Sequence, residues 1–277
     1  MKLNKNIDLF IVYTNESGKI IKLSNKATLK LNGCSVGDDI FEFIDADALR
    51  KLSMYYSKSI CVKTTLEGYP NAFMISKTVG GIKTVEVCFL GRAILPEGFV
   101  EQATKILSLL DGKRSEGNSI INVREYLGKI LEELVCQKHM EGVKITFIGE
   151  DQELKTNTQR LELLFLTTLS VMNDINFKGE IQIQLLKNKL QFALELKDRG
   201  VTEDIDKICT LYPQVTSKLY LLRSICEDEG IGFRLNKTAT NLLAIYDFAK
   251  LSRGKTTLMA TSAGIKQRIL SYIDILF

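Results

Sequence analysis

Residues 157–174, "NTQRLELLFLTTLSVMND", decide how this chain is read. From Leu161 to Met172 apolar side chains recur on nearly every face at helical spacing, interrupted mainly by Glu162, Thr167, Thr168 and Ser170. A helix that is apolar almost all round cannot face water along one side, so the run predicts a helix buried between other elements. On its C-terminal side, "EIQIQLL" (180–186) and "LQFALELK" (190–197) alternate and predict paired strands around the "KNK" turn. A short helix at about 203–211, a longer one at 215–229 and two strands, "IGFRLN" and "NLLAIYDF", follow. On its N-terminal side, "VKITFI" (143–148) predicts a strand. Before it, a helix runs from Asn122 to about Lys138, with Glu125 as capping-box partner and an apolar face of Val123, Tyr126, Leu127, Ile130 and Leu134. Helices on one face of a mixed sheet predict a two-layer α/β sandwich.

The first third of the chain has a different pattern. "DLFIVYT" (8–14) and "KIIKLS" (19–24) flank the turn "NESG" and predict a hairpin. Short helical pieces follow over 25–58, the last with Asp45 or Asp47 as N-cap. Three strand-like runs, "ICVKTTLE", "NAFMISKTV" and "IKTVEVCFLGR", are separated by "GYP" and "GG" turns. Pro96 and Gly98 close this region, and residues 97–111 predict a helix ended by Gly112. Phe99, Ala103, Ile106, Leu107 and Leu110 form one stripe on it. "RSEGNS" (114–119) predicts a loop. At the far end, Ile265, Ile269, Ile273 and Leu276 repeat at helical spacing and predict an amphipathic tail helix docked on an apolar surface, because a helix this short is marginal alone.

Composition narrows the function. The 277 residues are 45% hydrophobic and 25% charged, with a net charge of +4 spread over scattered lysines. That excludes the clustered basic footprint of a nucleic-acid binder. Cysteines at 34, 61, 88, 136, 209 and 226 never reach CxxC spacing, and His139 is the one histidine, so no metal site is expected. Isolated cysteines fit a reducing compartment. No signal-peptide core or apolar run of roughly 20 residues is present, so no membrane span and a cytoplasmic location are expected. With three prolines and no Ser/Gly/Pro tract, a long flexible linker is not expected. No GxSxG, Walker A or HExxH motif suggests a catalytic residue.

Residues 7–93 resemble a PAS domain, carried by "NESGKIIKLSNKATLKLNG", "VGDDIFEFIDADALRKL" and the order of two strands, short helices and three antiparallel strands. That resemblance implies ligand sensing or protein contact. It names no cofactor, because His139 lies outside the region. Residues 120–249 resemble the ATP-binding domain of sensor histidine kinases, the fold shared with gyrase and Hsp90. "RLELLFLTTLSVMNDINFKG" falls on the family's N-box helix, "LELKDRGVT" on its DxGxG box, and "TSKLYLLRSICEDEGIGFRL" on its GxGL box. The family's two N-box Asn positions fall on Thr167 and Val171. Asp198 and Gly200 keep the DxGxG pattern, but its second Gly falls on Thr202. The GxGL glycines fall on Thr216 and Lys218, with Leu219 retained. Valine offers a hard cation no oxygen, and a Cβ at either glycine obstructs close backbone approach. Asp198 and Gly200 are therefore expected as a vestigial nucleotide site, Asp198 acting as a local turn or cap, and Lys218 as a surface lysine. No phosphoacceptor histidine lies in 97–119, and His139 is expected at an exposed helix end.

The expectation is an α+β protein: a PAS-like antiparallel sheet domain at 1–96, a connecting or dimerisation helix at 97–119, a degenerate histidine kinase-type ATPase domain at 120–250 and a C-terminal amphipathic tail at 251–277. The resemblance implies a pseudo-histidine kinase, a non-catalytic regulator in a bacterial-type two-component pathway. Its partner would be a signalling protein such as a response regulator or a kinase, with no cofactor and no metal. A homodimer is expected through Phe99, Ala103, Ile106, Leu107 and Leu110. The alternatives are a histidine kinase or phosphotransfer protein that still binds nucleotide, with Asp198 on adenine, and a small-ligand sensor acting through the PAS cavity.

Overall fold

The computed structural model describes residues 8–15, 17–23, 33–43, 47, 50, 60–66, 69–79, 82–89, 98–109, 119–137, 140, 143–175, 180–186, 189–195, 208, 211–238, 241–248 and 262–277. The chain forms two compact units, one of Met1–Gly112 with Asp206–Ser217 and one of Lys113–Ile205 with Lys218–Phe277.

The first unit carries a five-stranded sheet in the order β2-β1-β5-β4-β3, antiparallel throughout. Its strands are β1 (Asp8–Thr14), β2 (Ile20–Leu23), β3 (Ile60–Leu66), β4 (Tyr69–Val79) and β5 (Ile82–Phe89). Two strands, an interval and three antiparallel strands are the order that the alternation predicted. The β1–β2 turn is closed by Asn15, whose Oδ1 accepts from Ser17 N, Ser17 Oγ and Lys19 N at 3.0, 2.8 and 2.9 Å. Gly18 sits there at φ +85°, where a Cβ would come within 2.6 Å of the Phe41 ring, so both backbone and space require glycine. The helices expected at 25–58 lie mostly outside the described residues. Among the described residues of this interval, a 3₁₀ turn spans Ile40–Phe43, and Asp47 and Arg50 are helical.

Helix α1 (Phe99–Ser108) packs along β3. Ala103, Ile106 and Leu107 are at most 1% exposed within one chain. An apolar stripe is satisfied by any apolar surface, and within a single chain these three side chains are already covered. The side chains of Phe99 and Leu110 lie outside the described residues.

In the second unit, β7 (Lys144–Ile148), β9 (Glu180–Leu186), β10 (Lys189–Glu195), β11 (Gly232–Lys237) and β12 (Asn241–Asp247) form a mixed sheet in the order β11-β12-β10-β9-β7. Only the β7–β9 pair in it is parallel. A two-stranded sheet of β6 (Ser119–Asn122) and β8 (Glu153–Thr156) was not expected. Four-residue strands carry too few alternations to stand out, and Ser119 ends a stretch whose composition predicts a loop.

Four α-helices are described alongside these sheets, α2 (Val123–Cys136), α3 (Thr158–Asp174), α4 (Thr216–Glu229) and α5 (Ser262–Leu276), and a 3₁₀ turn at Pro213–Val215 leads into α4. Asn122 caps α2 by accepting from Glu125 N at 3.0 Å, as expected. The Glu125 carboxylate turns instead to Lys129, at 2.7 Å. Asn157 caps α3 through Arg160 N at 3.2 Å.

Helix α3 is buried, as its all-round apolar pattern predicted, and lies on one face of the mixed sheet. Ile181, Ile183, Leu190, Phe192, Leu194, Leu242, Ala244 and Tyr246 alternate into that face. Phe165 meets Phe192 with ring centroids 5.6 Å apart, and Phe192 meets Tyr246 edge-on at 5.8 Å. Thr168 donates to Leu164 O at 2.7 Å, which leaves the Tyr246 hydroxyl to donate across their 2.6 Å contact.

The tail docks as its spacing predicted. α5 packs on α2 and α3, with Ile269, Ile273 and Leu276 at most 2% exposed. Each such side chain contributes roughly 1.5–3 kcal/mol before ordering costs. The side chain of Ile265 lies outside the described residues.

Candidate functional site

The site is built on α3, which carries carboxylates into a setting that excludes water. Glu162 has no exposed surface. An unpaired carboxylate there would be prohibitively costly, so its partners decide whether the helix can be buried at all. Arg268 of α5 meets it in a two-pronged contact, Nε to Oε2 at 2.7 Å and a terminal guanidinium nitrogen to Oε1 at 2.8 Å. The Tyr126 hydroxyl of α2 donates to the same Oε1. Burial raises the Tyr126 phenol well above its ordinary range, and the neighbouring Glu162 charge raises it further. The hydrogen bond to Glu162 raises Arg268 in the same direction. One buried carboxylate thus ties α2, α3 and α5 together.

Two turns further along α3, Lys218 reaches in from the first turn of α4. It is 3% exposed. Its Nζ donates to Asp174 Oδ2 at 2.6 Å and to Ser170 Oγ at 2.7 Å. Ser170 in turn donates to the backbone carbonyl of Leu276, in the last turn of α5, at 2.5 Å. Desolvation lowers the Lys218 pKa, and the Asp174 charge pulls it back up. The expectation of a surface lysine is therefore corrected. A lysine can be buried where a carboxylate and a hydroxyl wait for its protons, and α3 supplies both.

Of the other residues singled out from the sequence, Thr167, Val171 and Thr216 are among those described. Thr167 and Thr216 are fully buried, and neither hydroxyl finds a partner among the described residues. Val171 is 7% exposed. Asp198, Gly200 and Thr202 lie outside the described residues, as does His139. Tyr126 was read only as part of an apolar face, and Glu162, Ser170, Asp174 and Arg268 carried no functional expectation. A signal for two of them was present: Glu162 and Asp174 are the only acids in a run read as buried, and a buried acid demands a partner.

The histidine kinase resemblance implies a magnesium nucleotide here, and the residues do not fit one. A hard divalent cation takes about six oxygen ligands. Val171, at the position where the resemblance calls for a metal-positioning Asn, contributes none. Asp174, three residues on from Val171 along α3, already holds the Lys218 ammonium, and a second cation beside it would be repelled. What the arrangement does chemically is neutralise itself: two acids of α3 are each matched by a base from another helix.

No protein-family model matches the chain, and no curated protein matches it. Solved structures do. The catalytic domain of histidine kinase ThkA is 16% identical, with 47% of this chain and 95% of that chain covered at a TM-score of 0.37. The Erythrobacter litoralis blue-light activated histidine kinase is 14% identical, with 87% of this chain and 98% of that chain covered at a TM-score of 0.36. Histidine kinase ThkA in complex with response regulator protein TrrA is 9% identical, with 86% and 95% covered at a TM-score of 0.40. Among the described residues, no helix is long and apolar enough to cross a membrane.

Proposed function

We propose that this chain is a non-catalytic signalling regulator: a pseudo-histidine kinase with a PAS-like first unit and a degenerate ATPase-like second unit. It works by protein contact in a bacterial-type two-component pathway, with a response regulator or a kinase as partner. The observation that carries the reading is the Lys218–Asp174 ion pair at 2.6 Å. Its acid sits on the helix that the N-box resemblance identifies, and its base at a position where the GxGL resemblance calls for a glycine. Val171, where a metal-positioning Asn is called for, supports the reading independently. A site that satisfies its own charges has no residual field to hold a triphosphate and its cation.

The test is incubation of the full chain with labelled ATP and Mg²⁺, together with its melting temperature in the presence and absence of the nucleotide. No incorporated label and no magnesium-dependent shift are expected. An acid-labile phosphoprotein would sink the reading. A magnesium-dependent rise in melting temperature without label would replace it with a nucleotide-binding protein.

A further inference from the structure

We propose that the Lys218–Asp174–Ser170 cluster is a latch that holds the last turn of α5 on α3. The atoms form one unbroken relay. The Lys218 ammonium donates to Ser170 Oγ at 2.7 Å, and Ser170 Oγ donates its single proton to the Leu276 carbonyl at 2.5 Å. A hydroxyl has one proton to give. With its lone pair engaged by the ammonium, that proton is directed at the terminal turn of α5 and nowhere else. The Leu276 carbonyl is one of those at a helix C-terminus that no residue within the helix can satisfy, so an outside donor is what anchors the turn. Leu276 itself is fully buried, which makes the bond short-range and unscreened.

The other end of α5 is held differently. Lys266 meets Glu133 at 2.9 Å with 60% of the lysine side chain exposed, a contact that water screens. Arg268 holds the middle through Glu162. The anchors are therefore unequal, and the terminal one is joined to a charge pair in α3 and α4 through Ser170. A partner or modification that draws Lys218 or Asp174 away releases the end of α5 first and uncovers the apolar strip beneath Ile273 and Leu276. This makes α5 the element through which the second unit can be switched.

Amide hydrogen exchange on the full chain tests it. Ser170→Ala is expected to speed exchange in residues 273–277 by about tenfold, the loss of roughly one net hydrogen bond. Lys218→Met/Asp174→Asn, which removes the pair without stranding a charge, is expected to do the same. Exchange in α2 and in the centre of α3 should stay at the wild-type rate. Lys266→Ala should leave residues 273–277 unchanged. Wild-type exchange at the end of α5 in both test variants would overturn the latch, and so would an equal rise across α2, α3 and α5. The latch is separable from the regulator reading. Nucleotide binding by the wild-type chain would remove that reading and leave these exchange rates as they are.

Discussion

Lys218 Nζ and Asp174 Oδ2 stand 2.6 Å apart with 4% and 21% of their side chains exposed. The pair therefore sits where breaking it and replacing it have opposite consequences. Lys218→Met alone leaves Asp174 without its base and should destabilise the chain by about 1–3 kcal/mol. Lys218→Met/Asp174→Asn should recover to within about 1 kcal/mol of wild type, because neither charge is left stranded. The pH dependence has a definite sign. Desolvation holds the folded pKa of Lys218 below the ordinary lysine value of 10.5, so its contribution is fully present above that value and is lost as pH falls through the folded pKa. The double variant should gain on wild type as pH is lowered from about 10.5 toward neutrality. Denaturant unfolding at pH 7 and pH 10 measures both effects, and a single variant as stable as wild type would show that the pair contributes nothing.

Arg268→Ala removes the two-pronged partner of a carboxylate with no exposed surface. It should cost about 3–5 kcal/mol. Arg268→Lys should recover only part of this, since a point charge cannot reproduce the contacts at 2.7 and 2.8 Å. Removing residues 262–277 should also lower the melting temperature, by uncovering the apolar faces of α2 and α3. Thermal unfolding monitored by circular dichroism distinguishes these cases. An unchanged midpoint after deletion would mean that α5 contributes no packing energy.

Alkaline pH should unfold the chain through its buried phenols. Tyr126 and Tyr246 both have folded pKa values raised above the ordinary 10.0. Each contributes stability that is fully present below 10.0 and is lost as pH rises toward the folded value. Tyr126→Phe should lower stability at pH 7 by about 1–2 kcal/mol, because Glu162 loses a donor. It should also make the decline above about pH 10 shallower than in wild type. Unfolding midpoints across that range, with tyrosinate absorbance near the transition, test the sign.

Ile106→Asp should destabilise the chain severely, because Ile106 has no exposed surface in a single chain. A drop of several kcal/mol, or failure to fold, is the expected result. A variant with wild-type melting temperature that sediments as a monomer where wild type is a dimer would return Ala103, Ile106 and Leu107 to an interface between copies.

Much of this fold was legible in local pattern. The alternation of 180–186 and 190–197 specified a paired, one-sided face, and β9 and β10 bury Ile181, Ile183, Leu190 and Phe192 on it. The all-round apolar run of 157–174 specified a buried helix, and the spacing of Ile269, Ile273 and Leu276 specified a docked one. These are short-range properties: side-chain direction repeats every 2 residues or about every 3.6, so the chain carries them wherever it goes. The partners were decided elsewhere. Lys218 reads as solvated in the sequence because a lysine's burial depends on its acid, and Asp174 is 44 residues away in sequence. Glu162 and Arg268 are 106 apart. The α1 stripe reads the same whether it faces β3 or a second copy of the chain, since the hydrophobic effect is non-directional. Periodicity determined which face of each element is apolar and which residues must find partners. Only the packing of α2, α4 and α5 against α3 decided which partners they found, because a buried charge can be satisfied only by a group that the tertiary fold brings within hydrogen-bond reach.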